Sequence, residues 1–357
     1  MSKISFNHTQ SLFFKSLKTK VDAYFAANQL NRAGNRPLLF KSIIQVTSAL
    51  VLYVLLVFYT PSVGISLLLC VLLGLNLAFI GFNIMHEGGH QSFSRHKWLN
   101  TTSAYFLNVL GGNTYYWKIK HNINHHTYTN IEGVDSDIDV KPFMRLHEEQ
   151  PRKWFHKYQY LYWVILYGIS YIVWVFYHDF EKYVTGKVTM DGKAERLERK
   201  EHVIFWVTKV FYVVFYLALP IYMVGWLWAL TGFLVVTFVC GLSISVVFQL
   251  AHIVEGTQFP KPSEDANQIE EEWAIHQIHT TANFATHNRV LSWFLGGLNF
   301  QVEHHLFPRV SHGHYPCINQ LVKETCCEFG ISYLEYPSMI KAFQSHLTHI
   351  KRMGTVG

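Results

Sequence analysis

Residues 42–85 read SIIQVTSALVLYVLLVFYTPSVGISLLLCVLLGLNLAFIGFNIM, and His86 follows at once. Between Ser42 and Met85 there is no Asp, Glu, Lys or Arg. A helix rises about 1.5 Å per residue and the hydrocarbon core is about 30 Å thick, so one crossing takes about 20 residues. The stretch is too long for one crossing and long enough for two. Its middle holds Thr60-Pro61-Ser62, with Gly64 just beyond, residues that stop one helix and allow another to start. The reading is a helical hairpin with spans about 42–60 and 63–85. Val210 to Val254 repeats the pattern, again without a charge and with Pro220 and Gly225-Trp226 near its middle. It predicts a second hairpin, with spans about 203–223 and 227–250.

Outside the hairpins the charges are uneven. Residues 1–41 carry Lys3, Lys15, Lys18, Lys20, Arg32, Arg36 and Lys41 against one acid, Asp22. A basic flank before a first span favours the cytoplasmic side, so 1–40 reads as a basic cytosolic segment. A third apolar segment, 158–177, is rich in Tyr and Trp and flanked by charges. Aromatic residues of this kind favour the membrane interface. The whole chain agrees with a membrane protein: of 357 residues 50% are hydrophobic and only 15% charged, against roughly 25% charged in soluble domains. Nucleic-acid motifs are missing despite the net charge of +6, so no nucleic-acid partner is expected. Five cysteines without a CxxC pair make neither a disulfide framework nor a zinc-finger pattern.

Histidine is the anomaly, with 21 copies against 24 acids. Three clusters stand out. His86-Glu87-Gly88-Gly89-His90 follows the second span directly. His86 and His90, at i and i+4, share one face of a helix. His121-Asn122-Ile123-Asn124-His125-His126 repeats that spacing and adds His126 about 100° round the helix. Gln301-Val302-Glu303-His304-His305 repeats the adjacent pair. Gln301 stands where the second cluster has its first histidine, and its carbonyl oxygen can reach a metal directly or through a bound water. His252 ends the fourth span as His86 ends the second, with Gln249 one turn earlier. Polar groups at membrane depth are costly and mark function.

Eight histidines and one glutamine are too many ligands for one ion and about right for two. Imidazole-rich, carboxylate-poor sites suit iron better than magnesium or calcium. One metal site cannot be split across a bilayer, so the clusters must share a face. An even number of crossings therefore separates the second cluster from the third. The second hairpin supplies two, which makes 158–177 interfacial or re-entrant. The expected fold is an all-α membrane protein: four transmembrane helices in two hairpins, an interfacial segment, and a cytosolic helical cap carrying a His-rich di-iron site. The division is 1–40, a membrane body 41–325, and a cytosolic tail 326–357, with both termini and the metal site cytoplasmic. His276 and His279 remain as further ligand candidates.

HEGGH at 86–90, HNINHH at 121–126 and QVEHH at 301–305 resemble the three histidine boxes of membrane fatty acid desaturases. Order, spacing and placement around two hairpins agree over roughly residues 40–325. The Gln-first third box, in LNFQVEHHLFP at 298–308, resembles the front-end branch, which inserts double bonds between an existing one and the carboxyl end. The resemblance implies two iron ions, with His86, His90, His121, His125, His126, His252, His304, His305 and Gln301 as ligands, and O2 as co-substrate. It implies an acyl-CoA, acyl-ACP or acyl-lipid substrate lying in an apolar tunnel. Many front-end enzymes carry a fused cytochrome b5 domain with an HPGG motif. That motif is absent here and 1–40 is too short for the domain, so a separate donor, ferredoxin or cytochrome b5 with its reductase, is expected. Trp117 is a candidate for the tunnel mouth. Asp135, Asp137 and Asp139 are candidates for orienting the histidines, and Lys118, Lys120 and Arg309 for gripping a head group or donor. The rival readings are a di-iron hydroxylase or ketolase of a lipid or carotenoid and, from another class, a metal- or heme-binding membrane protein.

Overall fold

A computed structural model describes residues 4–7, 12–189, 197–263 and 265–356; Lys3 of the basic segment lies outside them. The chain is mostly helical. An amphipathic helix, α1 (Leu12–Ala27), precedes α2 (Arg36–Tyr59) and α3 (Val63–Gly89). The Asn35 side chain caps α2 by accepting the Leu38 amide, with Pro37 in the first turn, a combination that starts helices. The break between α2 and α3 falls where the sequence puts it. Thr60 turns to φ 43° and Pro61 follows.

Next come α4, residues 114–128, and α5 (Trp154–Thr185), α6 (Arg199–Val224) and α7 (Trp226–His252). Gly225, at φ 84°, makes the turn between α6 and α7, a conformation that costs glycine little. Pro220 does not break α6: a wide π-type turn over Val214–Ala218 comes just before it, and the Tyr53 hydroxyl donates to the Phe215 carbonyl within that turn. Among the described residues, α2, α3, α5, α6 and α7 are long and apolar enough to cross a membrane, consistent with an integral membrane protein. Their outer faces agree: Phe40, Ile43, Leu50, Val54, Val207 and Val214 are all exposed, which suits contact with lipid.

The sequence reading expects four spans and an interfacial 158–177. The structure makes that segment part of one unbroken helix, α5, and by length alone a fifth candidate. Its contacts are informative. At its N-terminal end the His156 ring meets the Pro142 carbonyl at 2.9 Å. Midway, the Tyr167 hydroxyl meets His346, whose other nitrogen meets the carbonyl of Ile253, next to His252. At its C-terminal end Phe180 and Tyr183 pack with Tyr115, Tyr116 and Ile119 of α4. Between these places Gly168 and Phe176 pack on α7 at Gly241 and Phe233.

α7 is the central helix, held by α3 on one side and α5 on the other. Small residues permit this. A Cβ on Gly241 would stand 2.7 Å from the Gly168 carbonyl oxygen, and one on Gly74 would stand 2.6 Å from that of Val236. Close backbone approach through small residues is the usual basis of helix association in membranes.

The remaining elements cover the face where α3 and α7 end. They are α8 (Trp273–His279), α9 (Arg289–Leu295), α10 (Gln301–Leu306), α11 (Tyr315–Phe329) and α12 (Met339–Thr355). α1 and α11 share an apolar core with α8 and α10. Two short parallel bridges tie distant segments together: β1 (Ser5–Phe6) with β2 (Gln268–Ile269), and β3 (Asn283–Phe284) with β4 (Glu335–Tyr336). Residues 326–355 are packed into this layer. His349 on α12 is buried against the Leu146 carbonyl.

Candidate metal centre

Four elements deliver the histidines to one place. α3 supplies His86 and His90, α4 supplies His121, His125 and His126, α7 supplies His252, and α10 supplies His304 and His305. The helices are not regular here. π-type turns occupy Gly81–Met85, just before His86, and Lys118–His125. Such turns collect at functional sites because they rotate the following side chains. The rings of His121 and His125 stack at 5.2 Å, while His126 stands edge-on to both.

The ligand atoms of His86, His90, His121 and His304 all lie within 4.8 Å of one another. Those of His125, His252 and His305 form a second such group, and His126, His304 and His305 a third. The third shares a residue with each of the others, so the eight rings make one continuous patch with two ends. His86 and His90 lie at one end and His252 at the other. Gly88 and Gly89 explain the small residues inside the first cluster. A Cβ on Gly88 would stand 2.5 Å from the Ala104 amide nitrogen, and one on Gly89 would collide with the Trp117 ring.

The hydrogen bonds fix the available nitrogen of four rings. His121 Nδ1 meets Asp137 at 3.1 Å and His125 Nδ1 meets Asp135 at 2.9 Å. His305 Nδ1 meets Gln277 Oε1 at 2.8 Å and His252 Nδ1 meets the Thr280 carbonyl at 3.3 Å. Carboxylates and carbonyls only accept, so these Nδ1 atoms carry the proton and Nε2 keeps its lone pair. Among the described residues, Nε2 of His90, His121, His125, His126, His252, His304 and His305 is buried without a hydrogen-bond partner, as is Gln301 Oε1. Buried polar atoms are nearly always satisfied. Seven unpartnered Nε2 atoms gathered in one place, four of them with the lone pair fixed by the bond at Nδ1, suit metal ions.

Electrostatics point the same way. Burial, reinforced by neighbouring imidazoles, holds His90, His126, His304 and His305 neutral, well below the usual histidine range. Ligating imidazoles must be neutral. His125 differs: burial lowers it, but the Asp135 carboxylate outweighs burial and its basicity is raised. A more basic imidazole is a stronger donor to a metal. Asp137 stays ionised. Burial pushes it up, yet Lys120 and His121 hold it well below the usual carboxylate range.

Asp135 and Asp137 are where the sequence reading expects them. Asp139 is not: its carboxylate receives the Lys141 amide and pairs with the Lys141 ammonium, one turn of the loop too far from a ring. Lys120 is bound to Asp137 at 2.7 Å, so its charge is already used. Lys118 is half-buried and Arg309 exposed. Trp117 stacks on His121 at 4.7 Å and stands edge-on to His86 and His90, which places it as a wall of the histidine patch. Gln249 is buried, its Oε1 without a partner among the described residues. His276 and His279 stay outside the patch. His276 lies against Phe6 and His279 pairs with Glu271. Sequence reasoning missed Gln277, Thr280 and Tyr315, whose hydroxyl meets His304 Nδ1 at 3.2 Å. It also missed Glu87, bound to the ring and amide of His312. Their sequence signals are weak, because only the fold brings them to the rings.

A family model described as fatty acid desaturase matches residues 62–337. Among curated proteins, the chain is 33% identical to the sn-1 linoleoyl-lipid 6-desaturase of Arthrospira platensis, covering 99% of this chain and 95% of that protein. It is 32% identical to the acyl-lipid (8-3)-desaturase of Physcomitrium patens, over 96% of this chain and 72% of that one. It is 30% identical to the Delta(5) fatty acid desaturase A of Dictyostelium discoideum, over 97% and 75%.

Proposed function

The chain belongs to the fatty acid desaturase family, and from that premise we propose that it desaturates the acyl chain of a membrane lipid, toward its carboxyl end, at a pair of iron ions. The convergence of orphaned, neutral Nε2 atoms carries this reading. His86, His90, His121 and His304 would hold one ion, and His125, His126, His252 and His305 the other. Gln301 Oε1 would act at the second, directly or through water. Such a pair, when bound, supplies the oxidising power of O2 needed to remove two hydrogens from an unactivated methylene.

The chain's own residues do the rest. Asp137, Asp135, Gln277 and the Thr280 carbonyl fix ring orientation and tautomer. Trp117 and the apolar core around the patch keep water away. Electrons come from a separate ferredoxin or cytochrome b5. The relatives named for positions 6 and Delta(5) favour front-end regioselectivity and an acyl-lipid carrier over acyl-CoA or acyl-ACP.

For the topology we propose four crossings, α2, α3, α6 and α7, with α5 interfacial or re-entrant from the cytoplasmic side. The C-terminal end of α5 and Tyr167 touch segments next to the histidines, while Gly168 and Phe176 pack on α7 at Gly241 and Phe233; a helix that dips beneath the patch and returns to the same side would do both. The metal patch and both termini are then cytoplasmic, and the described residues of 1–40 and 326–356 pack onto the membrane body 41–325.

The test is metal analysis of purified protein with gas chromatography and mass spectrometry of fatty acids from expressing cells. Two irons per chain and a new double bond are expected, both lost in His125→Ala and His304→Ala. Fewer than about one iron in wild-type protein, or a hydroxylated or keto product, defeats the reading.

A further inference from the structure

A cleft of about 780 Å³ with a mixed polar and apolar lining opens between the first turns of α2, the helix α9 and residues 311–320. Its charged and titratable lining is Lys41, His287, Arg289 and His312, and among the described residues no carboxylate lines it. Nearby acids stand behind the lining with partners of their own. Glu87 holds His312, Glu303 holds Asn319, and Glu335 holds Thr286 and Lys323. Neither Lys41 nor Arg289 is in an ion pair among the described residues. Lys41 is only 4% exposed. Its ammonium meets the Trp293 carbonyl at 2.9 Å and His312 Nε2 at 3.1 Å, which leaves one of three donors unused. Its nearest counter-charge, Glu87, reaches it only through the His312 ring, so an anion in the cleft would meet a cation with a donor to spare.

The surroundings say where such an anion comes from. Phe40 and Ile43 on α2 and Val290 and Trp293 on α9 are exposed on either side. Phe40 and Ile43 stand in the first turns of a candidate span, Arg36–Tyr59, so a cleft at that end of α2 lies where lipid phosphates run. Its inner wall is one residue from the metal patch at three points. Phe300 precedes Gln301, Pro316 follows the Tyr315 that meets His304, and His312 binds the Glu87 that follows His86.

We propose that this cleft binds the anionic phosphate headgroup of the acyl-lipid substrate, with Lys41 and Arg289 as its principal contacts. This rests on the front-end acyl-lipid reading. A double bond placed near the carboxyl end leaves only a few methylenes between ester and metals, so the headgroup must lodge beside the patch. The cleft is cationic and adjacent to it.

Purified full-length protein in neutral detergent is titrated with dilinoleoyl phosphatidylglycerol, with the uncharged dilinoleoyl monogalactosyl lipid, and with inorganic phosphate, and binding is read by native mass spectrometry. Expressing cells are analysed by lipid class. Wild-type protein is expected to hold the phospholipid about tenfold more tightly than the galactolipid, the scale of one charge-assisted contact, and to put its new double bonds preferentially into phospholipid. Arg289→Gln and Lys41→Met are expected to abolish both preferences. Arg289 is exposed, so its variant stays informative even if the Lys41 variant fails to fold. Equal affinity for the two lipids, a preference that survives Arg289→Gln, or full displacement by inorganic phosphate at lipid concentrations overturns the proposal. Cells that make no new double bond at all defeat the desaturase reading instead, and the binding measurement is independent of that result.

Discussion

At the scale of single residues, the ligand rings matter less than what holds them. Asp135 accepts from His125 Nδ1 and also from the Asn130 amide, and its other oxygen takes the Asp137 amide. That carboxylate cannot turn without breaking the loop. Removing it frees the ring and lowers its basicity. Partners of this kind are worth about 10–100-fold in metal affinity, so Asp135→Ala should lose iron to a chelator about that much more readily than wild type. Asp139→Ala, which touches only Lys141, should not. Equal iron retention in the two variants would deny Asp135 its role. The eight histidines were legible because their spacing is local. Gln277, Thr280 and Tyr315 were not, because they lie in segments whose approach to the rings is set by the packing of α8, α10 and α11.

At the scale of elements, the sequence predicted helix boundaries well and helix character less well. The breaks at Thr60-Pro61 and Gly225 were readable from residues that stop helices. The π-type turns before His86 and through His121 leave no comparable signature, since they answer to the demands of the patch. Glycine likewise has two meanings. Gly225 serves a turn, while Gly168 and Gly241 serve contact. Gly241→Val would press branched carbons against the Gly168 carbonyl and push α5 from α7. Overpacking of this kind costs about 1–3 kcal/mol. The expected result is a clear fall in the temperature at which the detergent-solubilised protein aggregates, followed by fluorescence-detected size exclusion. An unchanged temperature would show that the α5–α7 contact is not tight in solution.

At the scale of the whole molecule, the open matter is the path of α5. Four crossings and five make opposite predictions for its ends. Trp154 and Val184 are highly exposed, at 77% and 81%, and accept a cysteine without disturbing the core. In a background with the exposed Cys317 and Cys327 changed to Ser, W154C and V184C should both react with an impermeant maleimide in inverted vesicles and in neither case in right-side-out ones. Labelling of the two from opposite sides would make α5 a full span and would remove the four-crossing topology.

The sequence by itself determined the membrane character, the breaks at Thr60-Pro61 and Gly225, and which histidines lie close together along the chain. Each of these is a matter of hydropathy or spacing along one short segment, where chain connectivity alone brings the residues together. Tertiary structure decided the remainder: the pairing of rings from four helices into one patch, the acceptors behind them, the placement of Trp117 against three of them, and the cationic cleft beside Glu87. Those contacts join residues as far apart as Lys41 and His312 or His125 and His305. Such pairs meet only when several helices have packed, and their energies depend on burial that no local segment can provide.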